Sequence, residues 1–196
     1  MTFIVPVVEG HGEVEAVPVL LHRMVETANP GRLIKVNHPI RIKAGAFLND
    51  SDYFKKYIIL ASSKAAQAGG FVFILLDCED DCPAILGPKI LRRARAIRDD
   101  ITYIVVLAYR EFESWFLAAA RSLRGMYGLP GDLEPPVDVE AIRGAKGWLE
   151  RQMDRSYDET THQLEFSKRF DLQQARSNDS FNHCYERISA ALTAAS

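Results

Sequence analysis

Apolar positions fall along this chain in two rhythms. Three stretches are apolar almost throughout: FIVPVV (3–8), FVFILL (71–76) and ITYIVVLAY (101–109). Continuous runs of this length predict strands buried on both faces, and hence a parallel sheet. Pro6 fits the first strand only where its missing N–H costs no ladder bond. Val14, Val17, Leu21, Met24 and Val25 follow at helical spacing. That helix is expected to become regular near residues 15–17, with Pro18 in its first turn, where a missing donor is tolerated. Residues 33–43 predict one or two weaker strands, and AGAFLNDSD (44–52) a loop. Tyr53 to Ala68 predicts a helix stopped by Gly69-Gly70. Two further helices are expected over 83–98 and from Glu111 to Arg124. Strand and helix thus alternate as in a doubly wound α/β sheet.

The texture changes at Gly125. GMYGLPGDLEPPVD (125–138) holds three Gly and three Pro, which predicts a long loop. Beyond it the periodicity predicts only helices, near 138–154, 160–175 and 181–193. The expected organisation is an α/β core over 1–124, with 125–196 as a loop and helical C-terminal extension packed on it.

Composition narrows the class. The 196 residues are 47% hydrophobic and 26% charged, with a net charge of −2. This is an ordinary globular balance and excludes a disordered or polybasic chain. Nucleic-acid binding would need a local basic patch rather than a global field. Three cysteines (Cys78, Cys82 and Cys184) are too few for a disulfide framework and suggest a reducing compartment. MTFIVPVVEG lacks the basic start of a signal peptide, and the apolar runs fall far short of a membrane span. A cytoplasmic protein without a membrane partner is expected.

Chemistry concentrates at the strand ends. The first strand runs into Glu9-Gly10-His11-Gly12-Glu13, the central one into Asp77-Cys78-Glu79-Asp80-Asp81, and the third into Glu111-Phe112-Glu113. In a parallel α/β sheet, ligands bind beyond the carboxyl ends of the strands. Single acids there often cap helices or sit in solvated loops. Acids at three strand ends, four of them within 77–81, exceed what capping uses. Two carboxylates ~5 Å apart repel by roughly 3 kcal/mol at an effective dielectric near 20. Such a cluster needs raised pKa values or a divalent cation. Oxygen-only ligands suit Mg²⁺ or Mn²⁺, ions that clamp the oxygens of phosphoryl transfer.

Other chemistries fail on spacing. FVFILLDCED resembles a Walker B strand, yet no G-x-x-x-x-G-K-[ST] accompanies it. An EF-hand loop counted from Asp77 places Cys82 where Gly is required and Pro88 where Glu is required. Cys78, Cys82, His183 and Cys184 are poorly spaced for zinc, and no G-x-S-x-G elbow occurs. His11 reads as a turn residue. Lys89, Arg92 and Arg93 on the helix after the acidic loop could guide a phosphate backbone, although they could equally be a solvated face. Lys146, Lys168 and Arg169 are weaker candidates for a second phosphate contact.

VVEGHGE (7–13) and ILLDCED (74–80) resemble the two signature strands of the Toprim domain of topoisomerases, primases and OLD-like nucleases. The order of EGHGE, DCEDDC (77–82), EFESW (111–115) and SNDSF (177–181) is similar to a bacterial Toprim-like domain-of-unknown-function family, number four-two-seven-six. That resemblance implies a Toprim-like fold and a metal-dependent nuclease. Glu9 would manage protons and contact metal, with Glu13 and Asp77 beside it as catalytic residues. Asp77, Glu79, Asp81 and Glu113 would be further metal ligands. Glu79 stands where Asp is usual, which moves the metal by about one methylene. The resemblance also implies DNA rather than RNA as polymer, and a separately encoded ATPase partner, as in phage defence. The alternatives are a non-catalytic subunit that docks nucleic acid or an ATPase, and a small nucleotide phosphohydrolase.

Overall fold

A computed structural model describes residues 1–194. In chain order the elements are β1 (Thr2–Val8), α1 (His11–Ala28), β2 (Ile34–Val36), β3 (Ile40–Arg41), α2 (Ala44–Asn49) and α3 (Ser51–Ala68). β4 (Phe71–Asp77), α4 (Pro83–Arg95), β5 (Tyr103–Ala108) and α5 (Ser114–Ala118) follow, then a 3-10 turn over Ala120–Leu123. α6 (Ala145–Gln152), α7 (Glu159–Ser167), α8 (Leu172–Ala175) and α9 (Asp179–Ala194) complete the order. The sheet runs β2-β1-β4-β5, with β3 also pairing β1, and every pairing is parallel. The α/β class, the parallel sheet with flanking helices and the helical C-terminal part agree with the sequence pattern.

Side-chain alternation divides the apolar strands between two faces. Phe71, Phe73 and Leu75 of β4 join Ile104 and Val106 of β5 in a core shared with α1. Trp115, Phe116, Phe166, Phe170 and Phe181 belong to that same core, so residues beyond 125 pack directly against the sheet's neighbours. Val72, Ile74 and Leu76 turn the other way, with Val105 and Leu107, towards Phe54 and Ile58 of α3 and Ile90 of α4.

Several boundaries differ from the pattern's prediction. α1 begins at His11, and Pro18 lies inside it rather than in its first turn. An interior proline costs ~3 kcal/mol. Burial of Val17, Leu20, Leu21, Met24 and Val25, at roughly 1.5–3 kcal/mol each, outweighs it. The expected loop over 44–52 contains α2, whose Phe47 is buried 4.6 Å, centroid to centroid, from Phe54. One buried residue in six leaves no periodicity to read. Asp50 then starts α3 early, its Oδ1 accepting from the Asp52 and Tyr53 amides at 2.9 and 3.0 Å. α3 stops where expected, at a left-handed Gly69 with φ 64.

Downstream helices are shorter than their patterns. The expected helix from Glu111 to Arg124 is only α5 and a 3-10 turn, and α4 ends at Arg95. The helix expected over 138–154 starts only at Ala145, because Gly144 adopts φ 77. The one expected over 160–175 breaks after Ser167, and Asp171 re-caps the chain by accepting from the Gln173 and Gln174 amides. Asn178 begins the last helix early, its Oδ1 accepting from the Phe181 amide at 3.0 Å.

Candidate functional site

Strand order reverses between β1 and β4. β1 leads outwards to β2 and β3 on one side, and β4 to β5 on the other. That switch point, at the carboxyl ends of the strands, is where parallel α/β sheets open a crevice. Glu9 follows β1 directly, Glu13 lies in the first turn of α1, Asp77 ends β4, and Glu113 immediately precedes α5.

These four acids act on one another. Glu13 is only 4% exposed, and its Oε2 accepts the Glu9 amide at 3.1 Å. Burial raises its pKa from 4.5 to about 7, with the Glu113 and Glu9 charges adding to the rise and the two backbone donors opposing it. Asp77 is pushed well above the carboxylate range, first by desolvation and then by Glu13, Glu113 and Glu9. Its Oδ1 accepts the Phe112 amide at 2.8 Å, which ties the end of β4 to the segment carrying Glu113. Glu9 is raised by burial and by the charge of Glu79. Glu113 is 2% exposed and raised by burial; the hydrogen bond from Gln163 and the charge of Lys146 partly offset this.

The C-terminal helices complete the site. The Tyr157 hydroxyl donates to Glu113 Oε1 at 3.1 Å, and Gln163 Nε2 donates to the same atom at 2.9 Å. Burial beside Glu113 holds the Tyr157 hydroxyl firmly protonated. Gly12 explains the close approach of α7: a Cβ there would lie 2.4 Å from both Gln163 Oε1 and the Glu159 carbonyl. Lys146 donates its amide to Glu111 Oε2 at 2.9 Å and pairs its ammonium with Glu159. An open cleft of about 340 Å³ lies here, lined by Asp77, Glu79, Glu111 and Glu113 with Arg110, Arg143 and Lys146.

The other expected residues divide. Glu79 lines the cleft, with a left-handed backbone at φ 48. Asp81 is exposed in the turn after β4 and does not line the cleft. Lys89 and Arg92 are exposed on α4. Arg93 is engaged inwards, donating to the Leu48 carbonyl at 2.7 Å and stacking 3.9 Å from the Phe54 centroid. Lys168 pairs with Glu165 at 2.6 Å, beyond the end of α7 remote from Glu159. Tyr157, Gln163, Arg110 and Arg143 carry no local motif and come together only through the fold.

EFESW and SNDSF meet in space. Trp115 Nε1 and the Tyr109 amide both donate to Ser180 Oγ, at 2.8 and 3.0 Å, and Ser180 donates to Asn178 Oδ1 at 2.7 Å. Trp115 also packs edge-on against Phe181 at 5.2 Å. This lock fixes the segment that carries Glu113. A larger and more apolar cavity of about 460 Å³ lies between α4 and α9, floored by Val105, Leu107 and Leu91. It is remote in character from the acidic cleft, and chemistry argues for the smaller one.

The donor set suits a hard divalent cation: carboxyl oxygens only, Glu13 and Glu113 buried, Glu9 and Asp77 half-buried and Glu79 exposed. Among the described residues no three His, Cys, Asp or Glu side chains gather tightly enough to hold an ion as they stand. No helix among them is long and apolar enough to cross a membrane.

Fold and site together define an α/β protein with an acidic cleft at the switch point of a parallel sheet. The family model described as "Domain of unknown function (DUF4276)" matches residues 8–189, and the chain belongs to that family. No curated protein and no solved structure matches it.

Proposed function

We propose that this chain is a Toprim-type, Mg²⁺- or Mn²⁺-dependent phosphodiester hydrolase that acts on nucleic acid, DNA in preference to RNA, in the cytoplasm. One observation carries the reading: four acids from three strand ends, Glu13 and Glu113 buried and Glu9 and Asp77 half-buried, are all raised by burial, Glu13 and Asp77 also by the charges of the others. Folding that many repelling carboxylates together is costly and calls for a function. Glu9, Asp77 and Glu79 would hold the ion. When bound, it would neutralise charge on the attacking and leaving oxygens. Glu13, balanced near neutrality, exchanges a proton at working pH. Tyr157 and Gln163 hold Glu113 in place by donating to Oε1. A separately encoded ATPase partner, the division of labour expected in phage defence, belongs to the same reading. A cleft of about 340 Å³ is at the lower end of small-ligand sites, which favours a nucleotide phosphohydrolase as the second reading.

The test is incubation of the protein with plasmid DNA, and separately with nucleotides, in Mg²⁺ or Mn²⁺, beside Asp77→Asn. Nicking by the wild type but not the variant is expected. Wild-type protein that hydrolyses neither substrate, or a variant as fast as wild type, overturns the proposal.

A further inference from the structure

Two guanidinium groups in the cleft converge on one oxygen. Arg110 Nη1 and Arg143 Nη1 approach Asp80 Oδ1 at 3.1 and 2.9 Å. Asp80 is 72% exposed at its side chain, whereas Arg110 is only 17% exposed. An ion pair to so exposed a carboxylate adds little stability. Two guanidinium groups thus share a single carboxylate oxygen.

Arg110 is nevertheless held with care. Its φ is 62, in the left-handed region that non-glycine residues rarely adopt. Its amide donates to Cys78 Sγ at 3.2 Å, and its Nε to the Glu140 carbonyl at 3.3 Å. Its own carbonyl accepts the amide of Glu79, the other strained residue of the cleft, at 3.0 Å. Such strain persists only where the surroundings impose it, and it gathers at functional sites. The guanidinium fork matches the oxygens of a phosphate.

We propose that Arg110 and Arg143 form a clamp for a phosphate group of the substrate, and that Asp80 stands in for that anion until it arrives. This rests on the phosphodiester reading and names residues for substrate binding outside the acidic cluster. Asp80 is then a competitor of the substrate rather than a ligand of metal, which fixes the sign of its mutation.

The experiment is calorimetric titration of metal-free, full-length protein with inorganic phosphate, and in a second arm with a dinucleotide carrying one phosphodiester. Asp80→Asn is expected to tighten binding about fivefold, the worth of an exposed ion pair. Arg143→Gln should weaken it about tenfold, the worth of a charged hydrogen bond. Arg143 is 71% exposed at its side chain, so that variant leaves folding intact even if Arg110→Gln does not. Lys64→Gln, on exposed α3 surface, controls for net charge. Binding in both arms assigns the clamp to a phosphodiester, and binding of inorganic phosphate alone to a terminal phosphate. Wild-type protein that binds neither anion, Asp80→Asn that does not tighten, or Arg143→Gln without effect overturns the clamp. Because the titration reads binding without metal, a clamp that works in a protein that cleaves nothing overturns only the hydrolase reading. Cleavage with an unresponsive clamp overturns only this inference.

Discussion

Replacing Glu13 by Gln should stabilise the metal-free protein, although it mutates a buried residue at the centre of the site. Glu13 is 4% exposed, and its neighbours Glu9, Asp77 and Glu113 are carboxylates. Its pKa rises from 4.5 to about 7 on folding. A folded-state value above the unfolded one means that the native protein binds the extra proton. Stability therefore falls as pH rises from about 4.5 to about 7, and stays lowered above that. The interval corresponds to about 3 kcal/mol. Gln is neutral at every pH and keeps an oxygen that can accept the Glu9 amide. The variant should gain roughly 2–3 kcal/mol at pH 8 and nothing at pH 4, where wild-type Glu13 is protonated in both states. Urea denaturation followed by circular dichroism at the two pH values measures this. A loss at pH 8, or a gain of equal size at pH 4, would refute the argument that burial and repulsion set this carboxyl.

Asp77→Asn should abolish hydrolysis without lowering the melting temperature, because the amide oxygen still accepts from Phe112 and the variant, like Glu13→Gln, removes a carboxylate that burial and its neighbours disfavour; kinetics beside a thermal melt will show it. Mg²⁺ should raise the wild-type melting temperature more than that of Asp77→Asn, since a bound cation relieves repulsion among the acids, and differential scanning fluorimetry reads the difference. Gly12→Ala should cost about 1–3 kcal/mol by forcing α7 away, because its Cβ would meet Gln163 Oε1 and the Glu159 carbonyl at 2.4 Å; denaturation midpoints check it, and activity should fall with the Glu113 contacts. Ser180→Ala strands the Trp115 and Tyr109 donors at about 1–3 kcal/mol each; an unchanged midpoint would show that the lock is dispensable.

The strands were legible because burial on both faces leaves almost no polar residue in β1, β4 or β5. The acids were legible for the related reason that a charge directly after such a run stands out: Glu9 and Asp77 follow Val8 and Leu76. α2 was not, since Phe47 is its single buried residue. Nor was Pro18 inside α1, where tertiary burial overrides a local cost. Tyr157 and Gln163 reach Glu113 across 44 and 50 residues of chain. No local pattern encodes such a contact, and the first sign of it is Gly12, whose missing Cβ admits α7. Arg110 and Arg143 were not legible because neither has a basic neighbour in sequence, whereas the basic run lies on α4, where Arg93 turns inwards against Phe54.

The strand beside β1 is interrupted. β2 pairs three residues with β1 and β3 only two, and between them lies Asn37-His38-Pro39. A long, flat outer strand offers its free amides and carbonyls to any other chain in the same state, and so seeds aggregation. Here that margin of the sheet is cut into two short pieces, and Pro39 between them has no amide to offer. The same break that made residues 33–43 hard to read as strand therefore guards this margin against pairing with a second copy, which matters most during folding, before the helices have closed over the sheet.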